Sequence, residues 1–261
     1  MSTAITQAAR AYRERFFSGE PPALLETDPE FVERFENFAF DEVAGAEGLG
    51  GGDLDDRTRF MAVLAALLGC QGVEAYRALL PAALEAGLSP VQAKEIAYQA
   101  AAYLGIGRVL PFLNATNDVL ADHGVKLPLE GQATVAPEAR LEAGNQVQVD
   151  VFGEGMRRTW ESGPEEMRHI NRWLADNCFG DWYTRGGLDL AERELITFCF
   201  LAAQGGCEPQ LTAHAQGNMH VGNDKALLIK VVSQCVPYIG YPRSLNAVRC
   251  VNDAAALADA G

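Results

Sequence analysis

Paired metal and redox motifs are missing from this chain. Its six cysteines contain no Cys-x-x-Cys and its four histidines no His-x-x-x-His, which argues against zinc ribbons, helical metal sites and thioredoxin-type dithiols. Long apolar runs are missing too: no segment approaches the roughly 20 residues of a membrane span, and the first thirty residues lack an apolar run bounded by a small-residue cleavage site. Positive charge is scarce. The 21 Lys and Arg face 35 Asp and Glu, a formal charge of −14, and such a surface repels a phosphate backbone and anionic lipid. The expectation is a soluble cytoplasmic protein that binds no nucleic acid, membrane or metal. The scattered cysteines Cys70, Cys178, Cys199, Cys207, Cys235 and Cys250 read as reduced, small core residues.

No stretch alternates convincingly between polar and apolar residues as a half-buried strand would. Apolar residues recur at helical spacing instead, as in RTRFMAVLAALLGC (57–70), AKEIAYQAAAYLG (93–105), RELITFCFLAAQGG (193–206) and ALLIKVVSQCVPYIG (226–240). Ser89-Pro90 and Asn223-Asp224 carry helix-start chemistry, and Gly87 and Gly222 read as the glycines that end the preceding helices. An all-α fold is predicted.

The chain also repeats itself. AGLSPVQAKEIAYQAAAYLGIGR (86–108) lies over VGNDKALLIKVVSQCVPYIGYPR (221–243) at a constant offset of 135, pairing Gly87 with Gly222, Gln99 with Gln234, Tyr103 with Tyr238, Gly105 with Gly240 and Arg108 with Arg243. Upstream, LDDRTRFMAVLAALLGC (54–70) resembles LDLAERELITFCFLAAQGGC (188–207). Two copies of one helical unit are therefore expected, over 1–123 and 137–261, joined by a Gly- and Pro-containing linker at 124–136.

Candidate chemistry concentrates in GGCEPQLTAHAQGNMHVG (205–222). Pro209 suits the first turn of a helix, so Cys207 falls at a helix N-terminus, where partial positive charge can depress a thiol pKa. Gln210 and His214 are four apart and share a helix face. Cys207 and His214 also share a face, but about 10 Å of rise separates them, too far for a direct thiol–imidazole pair. His214 and His220 point about 240° apart around a helix axis and cannot hold a metal together. The preceding helix begins near AERELIT (191–197), with Glu194 in its opening turn. In an antiparallel hairpin Glu194 comes close to His214, and a carboxylate beside a histidine fixes its tautomer for acid/base work.

The run from Gly180 to Arg249 resembles the carboxymuconolactone decarboxylase family, which includes the alkylhydroperoxidase D proteins. The resemblance rests on the Gly-Asp-x-x-Thr-Arg-x-Gly-Leu lead-in at 180–188, the Arg-x-Leu-Ile-Thr start at Arg193, His214, Gly222, Tyr238, Gly240, Pro242 and Asn246. It covers about 115 residues from 137, with the first half as a degenerate copy. It implies an all-α fold of repeated helical hairpins that assembles into rings, and a two-unit chain would close such a ring as a homotrimer.

The peroxidases of that family use Cys-x-x-Cys-x-x-x-His with an upstream Glu. Here Cys207 and His214 match the first cysteine and the histidine, but Gln210 replaces the peroxide-reactive second cysteine. In the first copy GCQGVEAYRALL (69–80) keeps Cys70 and carries Tyr76, Arg77 and Leu79 where a histidine is expected, so one active and one structural copy are implied. The decarboxylases fit the lead-in and C-terminus better. They imply a cofactor-independent lyase acting on a small carboxylated lactone or enol. His214 would be the acid/base, Glu194 its tuner, Arg185, Arg193 or Arg243 the carboxylate anchors, and Gln210 and Tyr238 further substrate-binding positions. A peroxidase working through Cys207 alone and a non-catalytic ring scaffold remain as alternatives.

Overall fold

The structure is a computed structural model that describes residues 4–17 and 23–258. Among these residues there is no strand. The N-terminal half runs α1 (Gln7–Phe16), α2 (Pro29–Asn37), α3 (Asp56–Cys70), α4 (Val73–Glu85), α5 (Pro90–Leu104) and α6 (Ile106–Asp122). The C-terminal half repeats that order as α7 (Arg140–Phe152), α8 (Glu165–Trp173), α9 (Leu190–Gln204), α10 (Glu208–His220), α11 (Lys225–Ile239) and α12 (Tyr241–Ala258). In both halves the second helix widens into a π-helical extension, Phe38–Val43 after α2 and Leu174–Tyr183 after α8. The all-α, duplicated architecture read from the sequence is the architecture observed.

Local chemistry sets the helix ends. Ser89 and Gln92 form a reciprocal capping box at α5, and Asp224 accepts the amide of Leu227 at α11, satisfying donors that have no partner within the helix. Gly87 and Gly222 sit at φ of 95° and 104°, left-handed backbone that glycine adopts without steric cost. The start of α9 lies earlier than the apolar pattern suggests. Asp189 caps it and Glu192 returns the capping bond, so Glu192 faces the helix dipole and Glu194 lies two residues further in, fully buried.

The two central helices, α3 and α9, pack along each other. Every residue from Arg59 to Gly69 and from Arg193 to Ala203 is buried, as expected of helices that are covered on all sides. Around this pair the repeats exchange partners. Helix α5 of the first packs on α9, and α11 of the second packs on α3. Gln99 donates to the Arg193 carbonyl at 2.9 Å and to Thr197 Oγ1 at 2.8 Å, while Gln234 donates to the carbonyls of Val43 and Gly50, both at 2.7 Å. One apolar core, from Phe16 to Ala254, runs through both copies. The linker lies against the C-terminal copy, where Gln132 O accepts from the Gly186 amide at 2.9 Å.

Candidate active site

Helices α9 and α10 form an antiparallel hairpin, and its facing sides bring Glu194 to His214. Oε2 of Glu194 lies 2.9 Å from Nδ1 of His214, so the carboxylate holds the proton on Nδ1 and leaves Nε2 as the atom available to a ligand. No described residue hydrogen-bonds Nε2. Asn218 fixes the register of the hairpin: its side-chain amide donates to the backbone carbonyls of Glu194 at 2.9 Å and His214 at 2.8 Å. Gly217, one turn beyond His214, permits the close approach. A Cβ there would stand 2.8 Å from Glu194 Oε2 and 2.7 Å from Val151 Cγ1.

The other carboxylate oxygen is also taken. Tyr183, the last residue of the second π-helical segment, donates its hydroxyl to Glu194 Oε1 at 2.6 Å. That commits the only hydrogen of Tyr183, so Tyr103 at 3.0 Å and Thr197 at 2.9 Å donate to its oxygen. Burial, and secondly the negative charge of Glu194, hold the Tyr183 phenol well above its ordinary pKa; burial does the same to Tyr103. Both phenols therefore keep their protons and act as donors. Tyr103 and Phe152 clasp the imidazole edge to face, with ring centroids 5.4 and 5.3 Å away.

His214 lines a cavity of about 1060 Å³ whose walls include Phe152, Phe179, Leu174 and Leu201, the amides of Gln148, Gln204, Gln210 and Gln216, and the thiols of Cys178 and Cys207. His220 lines it too. The N-terminal copy contributes Ala102 and Tyr103, so this cavity belongs to both repeats. Sequence reasoning missed Tyr103, Tyr183 and Asn218. The equivalence of Tyr103 with Tyr238 was the one available signal, and nothing in the sequence shows that α5 reaches across.

Of the expected site residues, Glu194, Cys207, Gln210 and His214 gather here, and four others do not. Arg193 is buried, with its guanidinium on Gln99 Oε1 at 2.7 Å, Glu95 Oε2 at 3.1 Å and the carbonyls of Arg185 and Gly186. Arg185 grips the same Glu95 through Nε and Nη2 at 3.0 and 2.8 Å. A buried carboxylate from α5 captures both cations, which makes them braces between the repeats. Tyr238, from α11, which packs against the N-terminal half, and Arg243, from the first turn of α12, line a different cavity on that side. No arginine or lysine lines the His214 cavity among the described residues.

The six cysteines are free thiols, four of them buried, as expected, but the Cys207 thiol and the place of Cys70 in its repeat differ from expectation. Cys207 caps α10, but burial, helped by the charge of Glu208, raises its thiol pKa, and Sγ donates to the Leu201 carbonyl at 3.5 Å. Desolvation outweighs the helix terminus. Burial pushes Cys178 up to about 12. In the first copy the residue that caps α4 is Gly72, and Cys70 ends α3 as Gln204 ends α9, so Cys70 is not the counterpart of Cys207.

A duplicated, all-helical chain with a carboxylate-held histidine in a cavity walled by both copies defines the class. The chain belongs to the carboxymuconolactone decarboxylase family, whose profile matches residues 29–118 and 169–253. It is similar to the 4-carboxymuconolactone decarboxylase of Acinetobacter baylyi, 26% identical over 117 residues that make up 44% of this chain and 87% of that protein. Its fold resembles a crystal structure from Burkholderia xenovorans LB400, provisionally named a gamma-carboxymuconolactone decarboxylase subunit, with a TM-score of 0.55, 20% identity and 97% of each chain covered. Membership and these relatives support a decarboxylase-like function. No described helix is long and apolar enough to cross a membrane, and no described cluster of three or more His, Cys, Asp or Glu offers a metal site.

Proposed function

We propose that the chain is a cofactor-independent acid/base lyase acting on a small carboxylated lactone or enol, with Nε2 of His214 as the proton-carrying atom. The observation that carries this reading is the Glu194–His214 pair, with the imidazole in the cavity wall and the carboxylate buried behind it. In the reaction, the bond between a ring carbon and its carboxylate breaks, CO2 leaves, and the electron pair passes into a dienolate. Nε2–H of the imidazolium then protonates that carbon, and Glu194 stabilises the cation before transfer and the Nδ1–H tautomer after it. Apolar walls favour a step that turns a carboxylate into neutral CO2. Glutamine amides and His220 are the donors left to orient the remaining polar groups.

The absence of a described guanidinium from this wall narrows the substrate. The lactone of the Acinetobacter relative's name can be tested directly beside a substrate with a single carboxylate, because a second buried anion would have to rely on the glutamine amides and His220 of this wall in place of a guanidinium. Cys207 supports the thiol-peroxidase alternative poorly, since it keeps its proton and no second thiol stands at position 210.

His214→Asn keeps a side-chain amide near Glu194 but has no group that can carry a proton. Decarboxylation of mono- and dicarboxylated muconolactones, followed by loss of their ultraviolet absorbance, should fall by at least about 100-fold, the usual contribution of a positioned acid/base. Undiminished turnover in the folded variant would end this assignment.

A further inference from the structure

The duplication leaves a second cavity, of about 690 Å³, in the N-terminal copy, and we propose that it is a binding site for a small aromatic or aliphatic monocarboxylate. Its place in the repeat is that of the His214 cavity. Leu79 of α4 stands where α10 has His214, Phe60 of α3 stands where α9 has Glu194, and Tyr238 enters from α11 as Tyr103 enters from α5. Apolar side chains stand in place of the acid/base pair, yet among the described residues the space is not filled. The pocket opens to solvent beside the exposed Leu24 and Phe31, and its volume lies in the range of small-molecule pockets.

The walls state the chemistry of the occupant. Phe17, Phe35, Phe40 and Tyr238 supply rings, with Phe35 edge to face against Tyr238 at 6.2 Å. Two guanidinium groups also line the cavity. Arg13 is matched by the buried carboxylate of Glu36 at 2.7 Å. Arg243 makes no ion pair among the described residues, and its charge reaches the Cys70 thiol in the same wall, where it opposes the larger effect of burial. A cation with no ion-pair partner among the described residues, set beside these rings, selects an apolar molecule with a single anionic group. A planar guanidinium meets a carboxylate with two parallel hydrogen bonds. With neither the histidine nor its carboxylate partner present, this cavity binds and does not turn over.

The test is titration calorimetry of the full chain with 1-naphthoate. Ala78 and Ala213 occupy equivalent positions, one in each cavity wall, so Ala78→Trp and Ala213→Trp obstruct one cavity at a time. With the His214 cavity obstructed by Ala213→Trp, binding should persist, disappear when Ala78→Trp is added, and weaken by at least about tenfold when Arg243→Met is added, the change expected when a charged hydrogen-bond pair is lost. Uncharged 1-naphthamide should not distinguish Arg243→Met from the parent. Circular dichroism verifies that each variant folds. Binding that is absent in the parent, indifferent to Arg243→Met, or lost in Ala213→Trp instead would overturn the proposal, and none of these results bears on the activity assigned to His214.

Discussion

Tyr183 spends its single hydrogen on Glu194, and that bond aims the carboxylate at His214. Tyr183→Phe should therefore lower kcat about tenfold with KM little changed, because what it loses is alignment of the proton carrier and not substrate contact. Steady-state kinetics on the folded variant checks this, and a rise in KM at constant kcat would place Tyr183 in substrate binding. For Cys207 the raised thiol pKa sets the sign of a pH dependence. The thiolate is the reactive form, so alkylation by iodoacetamide at neutral pH should be slower than for an unstructured cysteine and should climb only above the ordinary thiol range. Peptide mapping by mass spectrometry isolates Cys207 from the other five thiols. Fast labelling at neutral pH would revive thiol chemistry. The approach of Glu194 to His214 was legible because helical spacing and an antiparallel hairpin together bring them face to face. Tyr183 was hidden by the π-helical turns that set its direction, and the arginines were misread because Glu95, the buried acid that captures Arg185 and Arg193, lies far away in the sequence.

Helices could be read because their signals are local. The period of 3.6, the Ser89 and Asp224 caps and the terminal glycines each act within a few residues. How closely two helices approach is not local, and α9 with α10 shows the consequence. Gly217 sits in mid-helix, where glycine costs about 1 kcal/mol relative to alanine. An isolated helix would gain from Gly217→Ala, but in this hairpin the added methyl meets Glu194 Oε2 at 2.8 Å and Val151 Cγ1 at 2.7 Å, so the helices must part or the carboxylate must turn. Overpacking of this kind costs about 1–3 kcal/mol, larger than the propensity gain. The expected result is a net loss of stability in chemical denaturation together with a fall in kcat, because the displaced group is the one that holds His214. A stabilised, fully active Gly217→Ala would show that α10 has slack that the packed hairpin does not display.

The duplication was visible in the sequence as a fixed offset, but the sharing of one core between the copies was not, since it arises from α5 and α11 crossing over. That sharing explains how Phe60 and Leu79 can stand where the other copy has Glu194 and His214 while the fold stays the same. The same offset organises the surface. Ile106 and Leu110 at the start of α6 and Tyr241 and Leu245 at the start of α12 are equivalent positions, and all four are at least half exposed. Single exposed apolar residues are ordinary. The same pair left bare on both copies is a pattern, and it suits a closed ring in which the α6 face of one chain meets the α12 face of the next. Three chains, six copies in all, would close such a ring. Sedimentation velocity should then give a mass three times 28.1 kDa, and Leu110→Glu with Leu245→Glu, which puts two acids into an apolar contact of an already acidic protein, should return the single-chain mass with helicity unchanged. A parent that sediments as one chain, or a double variant that still sediments as three, would remove these faces from any account of assembly.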